Sequence, residues 1–175
     1  RALAATTDGD PAYGAILPPA LHERARAWQR QKTAGGFAGL HWPVEYGGRG
    51  LSPSHTAIWT EECARAQVSP YLNLQGLILA GGAILRSGTD EQCRRYLPPT
   101  LTGEVLWCQL FSEPGAGSDL TSLTTSATRD GDRYVIDGTK VWSSNAQHAE
   151  HGILLARTAA DRRGHRGISF FLLDM

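Results

Sequence analysis

The sequence predicts an α+β chain, with an all-α helical domain at residues 1–103 and an antiparallel, β-barrel-like domain at residues 104–175. Before Gly103, apolar residues recur at the spacing of one helix face. After it, apolar runs are short, and one segment alternates around a glycine turn, which is typical of strands. Helices followed by strands favour two separate packed layers over alternating βα units.

The helical half contains four candidate helices, each bounded by residues that start or stop helices. Serine before proline is a favoured way to cap and begin a helix, and glycine pairs and proline pairs commonly end one. The predicted helices are one opened by Pro18 and Pro19, carried by Leu21, Ala25 and Trp28 and ended by Gly35-Gly36; one begun by Ser52-Pro53 and running to Ala66; Leu74 to Arg86; and Asp90 to Tyr96, ended by Pro98-Pro99.

The second half contains short apolar segments separated by turn residues. The predicted strands lie in "EVLWCQLF", in "DRYVIDGTKVWSS" around an Asp130-Gly131-Asp132 turn, in "GILLART" and in "GISFFLLDM". The last of these ends while it is still apolar, and an open strand edge needs a partner. The chain is therefore expected to be part of a larger protein.

Composition excludes several classes of function. Net charge is zero and the pI is about 7.2, so neither nucleic acid nor an anionic membrane is an expected partner. The longest apolar run, Leu77 to Leu85, is too short to span a bilayer, and no secretory signal is visible. Cys63, Cys93 and Cys108 lack metal-ligand spacing and are expected as small buried residues, which fits a reducing bacterial cytoplasm.

The stretch "WCQLFSEPGAGSDLTSL" passes from a strand into a loop rich in glycine, proline and hydroxyl residues. Pro114 restricts one φ angle, whereas Gly115 and Gly117 permit positive φ, so backbone N–H groups could turn inward as an anion-binding nest. The Ser118 hydroxyl would add a donor. Neither a P-loop lysine nor a dinucleotide-binding glycine motif is present. By spacing alone, a phosphate site and an ordinary tight connection both stay open.

A second stretch, "KVWSSNAQHAEHGILLART", places tryptophan beside hydroxyl residues. In an extended strand, Trp142 and Ser144 would share one face, with Val141 and Ser143 on the other. An indole and a hydroxyl side by side could line a site for a flat aromatic ligand, one stacking and the other donating to a ring nitrogen. The alternative is a tryptophan in the core or at an interface.

Together these stretches resemble the acyl-CoA dehydrogenase family over nearly the whole chain. The helical half carries the similarity through "GLHWPVEYGGRGLSPSHTAIWTEECARA". The β half carries it through "CQLFSEPGAGSDL", "YVIDGTKVWSSNAQHAEHGILLART" and "GISFFLLDM", in the family's order and spacing. The resemblance implies that the family's C-terminal helical bundle is absent from these residues.

The resemblance also implies FAD as the cofactor, with part of its site supplied by a second subunit. The loop from Gln109 to Ser118 is expected to contact the flavin and its phosphates, with Ser112 bonding the isoalloxazine ring. Ser118 is expected near the pyrophosphate and the acyl-CoA ligand, and Ser144 near flavin N5. The implied cofactor-binding residues are Gln109, Leu110, Phe111, Ser112, Gly117, Ser118, Trp142, Ser143 and Ser144.

The implied activity is α,β-desaturation of an acyl-CoA thioester, with hydride transfer to flavin N5 and electrons passing to an electron-transfer flavoprotein. The family's base is a glutamate of the C-terminal domain, so no catalytic residue is expected in this chain. A homo-oligomer or a heteromer is expected. Two alternatives stay open: an oxygen-using relative, such as an acyl-CoA oxidase or a flavin monooxygenase, and a non-catalytic subunit of a heteromeric dehydrogenase. The acyl group is not indicated, because Gln109 stands where straight-chain enzymes often carry an aromatic residue.

Other titratable residues are assigned structural roles. Glu113, next to proline in the glycine loop, is expected to accept local hydrogen bonds rather than to act as a base. Glu61 and Glu62 are expected on the solvated face of a helix. His148 and His151 have no metal-ligand partner at helical spacing and are expected at the surface or at an interface.

Overall fold

The computed structural model describes residues 20, 22–66, 68, 72–162 and 164–175. The chain divides into two compact units, the first ending at Leu106 and the second beginning at Trp107. The predicted order, helices and then strands, is confirmed. The residues predicted to open the first helix, Pro18, Pro19 and Leu21, lie outside the described residues.

All regular secondary structure in the described part of the first unit is helical. Its helices are α1 (His22–Ala34), α2 (Pro53–Arg65), a π-helix (Gln75–Ala80), α3 (Gly81–Ser87) and α4 (Asp90–Thr102), with a short 3-10 turn at Val44–Tyr46. Pro53 occupies the first helical position of α2 as predicted, but the Ser52 side chain caps no helix N–H and instead contacts Nδ1 of His55 at 3.0 Å. No helix in the described part of the chain is long and apolar enough to cross a membrane.

Helix α4 continues through the two prolines that were predicted to end it. Pro98 and Pro99 lie inside the helix, which runs to Thr102 and ends at Gly103 in the left-handed conformation. Proline in a helix removes backbone hydrogen bonds. Here that cost is offset by burial, because Leu97 and Leu101 are 0% and 1% exposed. The prediction of a shorter helix was wrong because packing on both sides of the prolines outweighs local propensity.

Side chains of α1 bind the C-terminal end of α4. Gln29 Nε2 and Thr33 Oγ1 each donate to the carbonyl oxygen of Leu101, both at 2.7 Å. The last carbonyls of a helix have no partner within the helix, so these donors satisfy a group that burial would otherwise leave unpaired. Gln29 is fully buried, and this bond satisfies its side-chain N–H group.

The second unit is a five-stranded mixed sheet. Its strands are β1 (Trp107–Leu110), β2 (Ser126–Asp130), β3 (Arg133–Asp137), β4 (His151–Arg157) and β5 (Ile168–Asp174). The β2–β3 hairpin and the β4–β5 pair are antiparallel, as predicted. The β1–β4 and β2–β4 pairs are parallel, so the antiparallel label applies to only part of the sheet. Long connections between these strands allow the chain to return in the same direction.

One buried cluster of this unit lies on one face of the sheet. Its buried members are Cys108, Leu110, Ala127, Leu154 and Ala156, and partly buried side chains from β3 and β5 pack against them. Cys63 and Cys93 of the first unit are buried and unbridged in the same way as Cys108. The interpretation of all three cysteines as small buried residues is therefore confirmed.

Candidate functional site

The glycine loop leaves the sheet between two strands that share one edge of β4. Strand β5 pairs with β4 along its whole length, from His151 to Arg157. On the other edge, β1 pairs with β4 as far as Leu154, and β2 meets it at Arg157. The glycine loop, residues 111–125, connects β1 to β2. Both ends of this loop are therefore held by strands that pair with the same edge of β4.

The tip of this loop is a small reciprocal turn. The N–H of Glu113 donates to the carbonyl of Ala116 at 2.8 Å, and the N–H of Ala116 donates back at 3.1 Å. Neither Gly115 nor Gly117 adopts positive φ, so the loop does not use the left-handed conformation that glycine permits. A Cβ added at either glycine would meet no atom within 4 Å. Backbone conformation and packing within this unit therefore do not require glycine at either position.

Glu113 is the most heavily hydrogen-bonded side chain of the loop. One carboxylate oxygen accepts from the N–H and hydroxyl of Thr124 at 2.7 and 2.8 Å. The other accepts from the N–H of Thr125 and from Nζ of Lys140, both at 2.9 Å. Burial alone would raise the pKa of Glu113, but the hydrogen bonds from Lys140 and these N–H groups lower it well below its usual range. Glu113 is thus an ionised acceptor of local hydrogen bonds, as expected.

Lys140 joins the glycine loop to the tryptophan stretch. Its Nζ donates both to Glu113 and to the carbonyl of Phe111, the latter at 3.0 Å. The next residue continues the linkage, because the N–H of Val141 donates to the carbonyl of Ser112 at 2.9 Å. Sequence analysis missed Lys140. The sequence does show a single lysine between an apolar strand and a tryptophan. No neighbouring residue indicated that its partner would be the carboxylate of Glu113.

Trp142 begins an irregular turn rather than continuing a strand. Strand β3 ends at Asp137, and Trp142 has a left-handed φ of 59°. The N–H of Ser144 donates to the carbonyl of Trp142 at 3.0 Å, and Asn145 is also left-handed. The prediction that Trp142 and Ser144 share a strand face was therefore wrong. The indole is 89% exposed, so it is not a core residue of this unit.

Other predicted site residues differ in what they expose. Leu110 is only 9% exposed, and its side chain belongs to the buried cluster. Phe111 is half-buried, with its ring edge-on to Phe170 at a centroid distance of 6.3 Å. Ser118 is exposed, whereas the Ser143 hydroxyl oxygen is buried and has no hydrogen-bond partner among the described residues.

The other titratable residues singled out in the sequence include Glu61 and Glu62 on α2 and His151 on β4. Glu61 and Glu62 both pair with Arg65 on the exposed face of α2, as expected. The side chain of His151 is 17% exposed in β4, and its Nδ1 lies 3.0 Å from Oδ1 of Asp174. Across the part of the chain that is described, no three His, Cys, Asp or Glu side chains are grouped so that they could hold a metal ion.

Comparison with known families covers both units. Residues 19–104 match the profile of the acyl-CoA dehydrogenase N-terminal domain. Residues 108–175 match that of the acyl-CoA dehydrogenase middle domain. The chain therefore belongs to the acyl-CoA dehydrogenase family, and its fold is a helical N-terminal domain followed by a β-sheet middle domain.

Individual relatives agree with this assignment. The acyl-CoA dehydrogenase IpdE1 of Mycobacterium tuberculosis is 44% identical over 153 residues, which is 87% of this chain and 40% of that protein. Subunit CarC of the caffeyl-CoA reductase-Etf complex of Acetobacterium woodii is 38% identical over 142 residues, 80% of this chain and 37% of CarC. The chain thus spans about two fifths of the length of these relatives.

Solved structures give the same result. The Tcur3481-Tcur3483 steroid ACAD superposes with a TM-score of 0.77 and 39% identity, covering 87% of this chain and 39% of that one. The ChsE4-ChsE5 complex from Mycobacterium tuberculosis superposes with a TM-score of 0.77 and 37% identity, covering 90% of this chain and 42% of that one.

Proposed function

We propose that the full-length protein is an FAD-dependent enzyme that desaturates an acyl-CoA thioester between its α and β carbons. The observation that carries the proposal is the linkage of the two stretches that the resemblance assigns to the flavin. The loop from Gln109 to Ser118 and the turn from Trp142 to Ser144 are held together through Lys140 and through the Val141–Ser112 hydrogen bond. FAD bound there would supply the acceptor for the β-hydrogen, which leaves as hydride.

The residues present fit a flat cofactor that carries phosphates. Gly115 and Gly117 leave open space beside the backbone. The N–H groups of Gly117 and Ser118 donate to no acceptor among the described residues and lie in an exposed segment. Such free N–H groups suit a pyrophosphate. The exposed indole of Trp142 and the unpartnered hydroxyl of Ser143 suit an aromatic ring system with polar edges.

These residues bind and orient, and none of them is proposed to take the α-proton. Glu113 is buried, ionised and engaged by four hydrogen bonds, so it has no free lone pair aimed at a ligand. A general base must reach the proton that it removes. We therefore propose that the base is a glutamate supplied by the full-length protein outside residues 1–175. Ser112 and Ser144 are proposed to hydrogen-bond the flavin ring, and Ser118 the phosphates and the thioester ligand.

The relatives suggest which substrate and partners to try first. Similarity to a steroid ACAD supports a bulky polycyclic CoA thioester as the leading substrate class. The CarC relative, a subunit of an Etf complex, supports an electron-transfer flavoprotein as the electron acceptor. The ChsE4-ChsE5 complex supports a second candidate role, in which this protein is one subunit of a heteromeric dehydrogenase.

The test is an anaerobic titration of the purified full-length flavoprotein with straight-chain, branched and steroid-derived acyl-CoA thioesters. Bleaching of the flavin band near ~450 nm by one class would establish electron transfer from that thioester. A flavin that no thioester bleaches, but that oxygen reoxidises rapidly after chemical reduction, would favour an oxygen-using relative. Flavin retained only after co-expression with a second dehydrogenase subunit would favour the heteromer.

Replacing Gly117 by alanine should leave the flavin-free protein as stable as before, because the added methyl group meets open space. It should nevertheless weaken FAD binding by about tenfold or more, since the methyl group would separate the backbone N–H from the phosphate. Isothermal titration with FAD measures the affinity, and thermal unfolding of the flavin-free protein is the control. Unchanged affinity would mean that no phosphate closely approaches this glycine.

Replacing Ser118 by alanine should weaken FAD or acyl-CoA binding by about 1.5–3 kcal/mol, the worth of a hydrogen bond to a charged group. Ser122→Ala is the matched control, because Ser122 lies in the same exposed segment and its hydroxyl already donates to the carbonyl of Asp119 at 2.8 Å. Equal dissociation constants for both ligands in the Ser118 variant and the parent protein would remove Ser118 from the site.

A further inference from the structure

Glu113 and Lys140 form a buried ion pair beside the proposed flavin site. Their side chains are 4% and 8% exposed, and the carboxylate oxygen and Nζ are 2.9 Å apart. The other three hydrogen bonds to Glu113 come from Thr124 and Thr125, at the far end of the glycine loop. One carboxylate therefore ties the start of the loop to its end and, through Lys140, to the stretch that leads to Trp142.

The same lysine connects the backbones that carry the proposed flavin ligands. Nζ of Lys140 binds the carbonyl of Phe111, the residue before Ser112. The N–H of Val141, the residue before Trp142, binds the carbonyl of Ser112. Neither charged group is exposed enough to bind a ligand directly, so we expect both to act through the backbone segments to which they are hydrogen-bonded.

We propose that Glu113 and Lys140 are positioning residues that fix the relative placement of Ser112 and the Trp142–Ser144 turn against the flavin. This inference rests on the proposed function. An ion pair suits this positioning role, because each charged group forms several directional hydrogen bonds at once. Apolar packing has no such directionality and would leave the loop backbone freer to shift. Buried pairs are weak contributors to stability compared with apolar replacements, which favours a role in specifying geometry.

The experiment compares single and double neutral variants of the full-length protein. Lys140→Met and Glu113→Gln each leave one buried charge without its partner, whereas the double variant removes both charges. Ile136→Ala is the control, because Ile136 packs on the core of the same sheet and its apolar side chain forms no hydrogen bond with the pair. The readouts are the melting temperature of the flavin-free protein, the FAD dissociation constant and the visible spectrum of the bound flavin.

Each single variant should raise the FAD dissociation constant by about tenfold or more, beyond the change in Ile136→Ala, and should shift the flavin spectrum. The double variant should recover its melting temperature, because it leaves no unpaired buried charge. It should keep the weak FAD binding and the shifted spectrum, because positioning depends on the hydrogen bonds that both side chains make. Recovery of affinity and spectrum in the double variant would overturn the proposal, as would single variants that lose only melting temperature.

Lys140→Arg covers the case in which the neutral variants do not fold. Arginine keeps the charge, but its planar fork cannot reproduce the single Nζ that serves both Phe111 and Glu113, so the protein should fold with altered flavin binding. Affinity and spectrum equal to those of the parent would overturn the proposal. A parent protein that binds no FAD would instead refute the proposed function, which separates the two failures.

Discussion

Replacing Gly81 by alanine is expected to destabilise the helical unit, whereas the same change one residue later is expected to stabilise it. An added Cβ at Gly81 would lie 2.3 Å from Cζ2 and 2.8 Å from Cη2 of Trp42. The indole cannot move aside easily, because Trp42 is 1% exposed and its backbone N–H and carbonyl are both hydrogen-bonded, to Gly39 and Gly50. Overpacking of this kind costs about 1–3 kcal/mol.

Gly82 is the matched control on the same helix. It is exposed, and an added Cβ would meet no atom within 4 Å. Gly82→Ala should therefore stabilise the protein by up to about 1 kcal/mol through helix propensity alone. Urea denaturation of both variants measures the difference between the two positions. Equal shifts for the two variants would mean that the Trp42 ring does not pack against Gly81 in solution.

Replacing Lys32 by methionine is expected to stabilise the protein at neutral pH. Lys32 lies on α1 and is 2% exposed, with its ammonium 5.8 Å from the centre of the Trp28 ring. Burial lowers the pKa of Lys32 from 10.5 to about 8, against a smaller opposite effect from Cys63. A shift of this size corresponds to about 3 kcal/mol of penalty for the charged form. Methionine keeps the length of the side chain and removes the charge.

The pKa of Lys32 also determines how the stability gained in Lys32→Met changes with pH. Between pH 8 and pH 10.5 the unfolded chain binds more protons at Lys32 than the folded protein does, so stability contributed by this residue rises with pH. Below pH 8 both states are protonated and the penalty is constant. The advantage of Lys32→Met should thus be largest near neutral pH and shrink towards pH 10.

Denaturation of parent and variant at several pH values measures this trend. Arg30→Met, an exposed cation on the same helix, should change stability by no more than about 0.5 kcal/mol at any of them. A Lys32→Met variant that is less stable than its parent at pH 7 would mean that contacts of the ammonium stabilise the fold more than its burial costs.

The glycine loop illustrates how far local sequence carries a functional prediction. Its position after a strand and the role of Glu113 as an acceptor followed from the order of residues in this stretch. The reason for the glycines did not: Gly115 and Gly117 take ordinary φ angles, and the space beside them is empty. We propose that their smallness serves the bound cofactor, which a propensity argument does not include.

Lys140 and Trp142 illustrate the limits of periodicity. A two-residue alternation continued past Asp137 predicts a strand face for Trp142. The chain instead leaves the sheet, because Lys140 and Val141 bond to Phe111 and Ser112 rather than to a neighbouring strand. Partners this distant in sequence have no local signature, so the turn and its left-handed tryptophan could not be foreseen.

By itself, the sequence determined the order of helices and strands, the hairpin at Gly131, the burial of the three cysteines and the family resemblance, since each depends on local spacing or on a motif. Only the tertiary structure decided that α4 runs through Pro98 and Pro99, that β4 pairs in parallel with β1 and β2, and that Lys140 meets Glu113. The physical reason is the same in each case. Burial and hydrogen bonding between distant segments outweigh the preferences of the residues that form them.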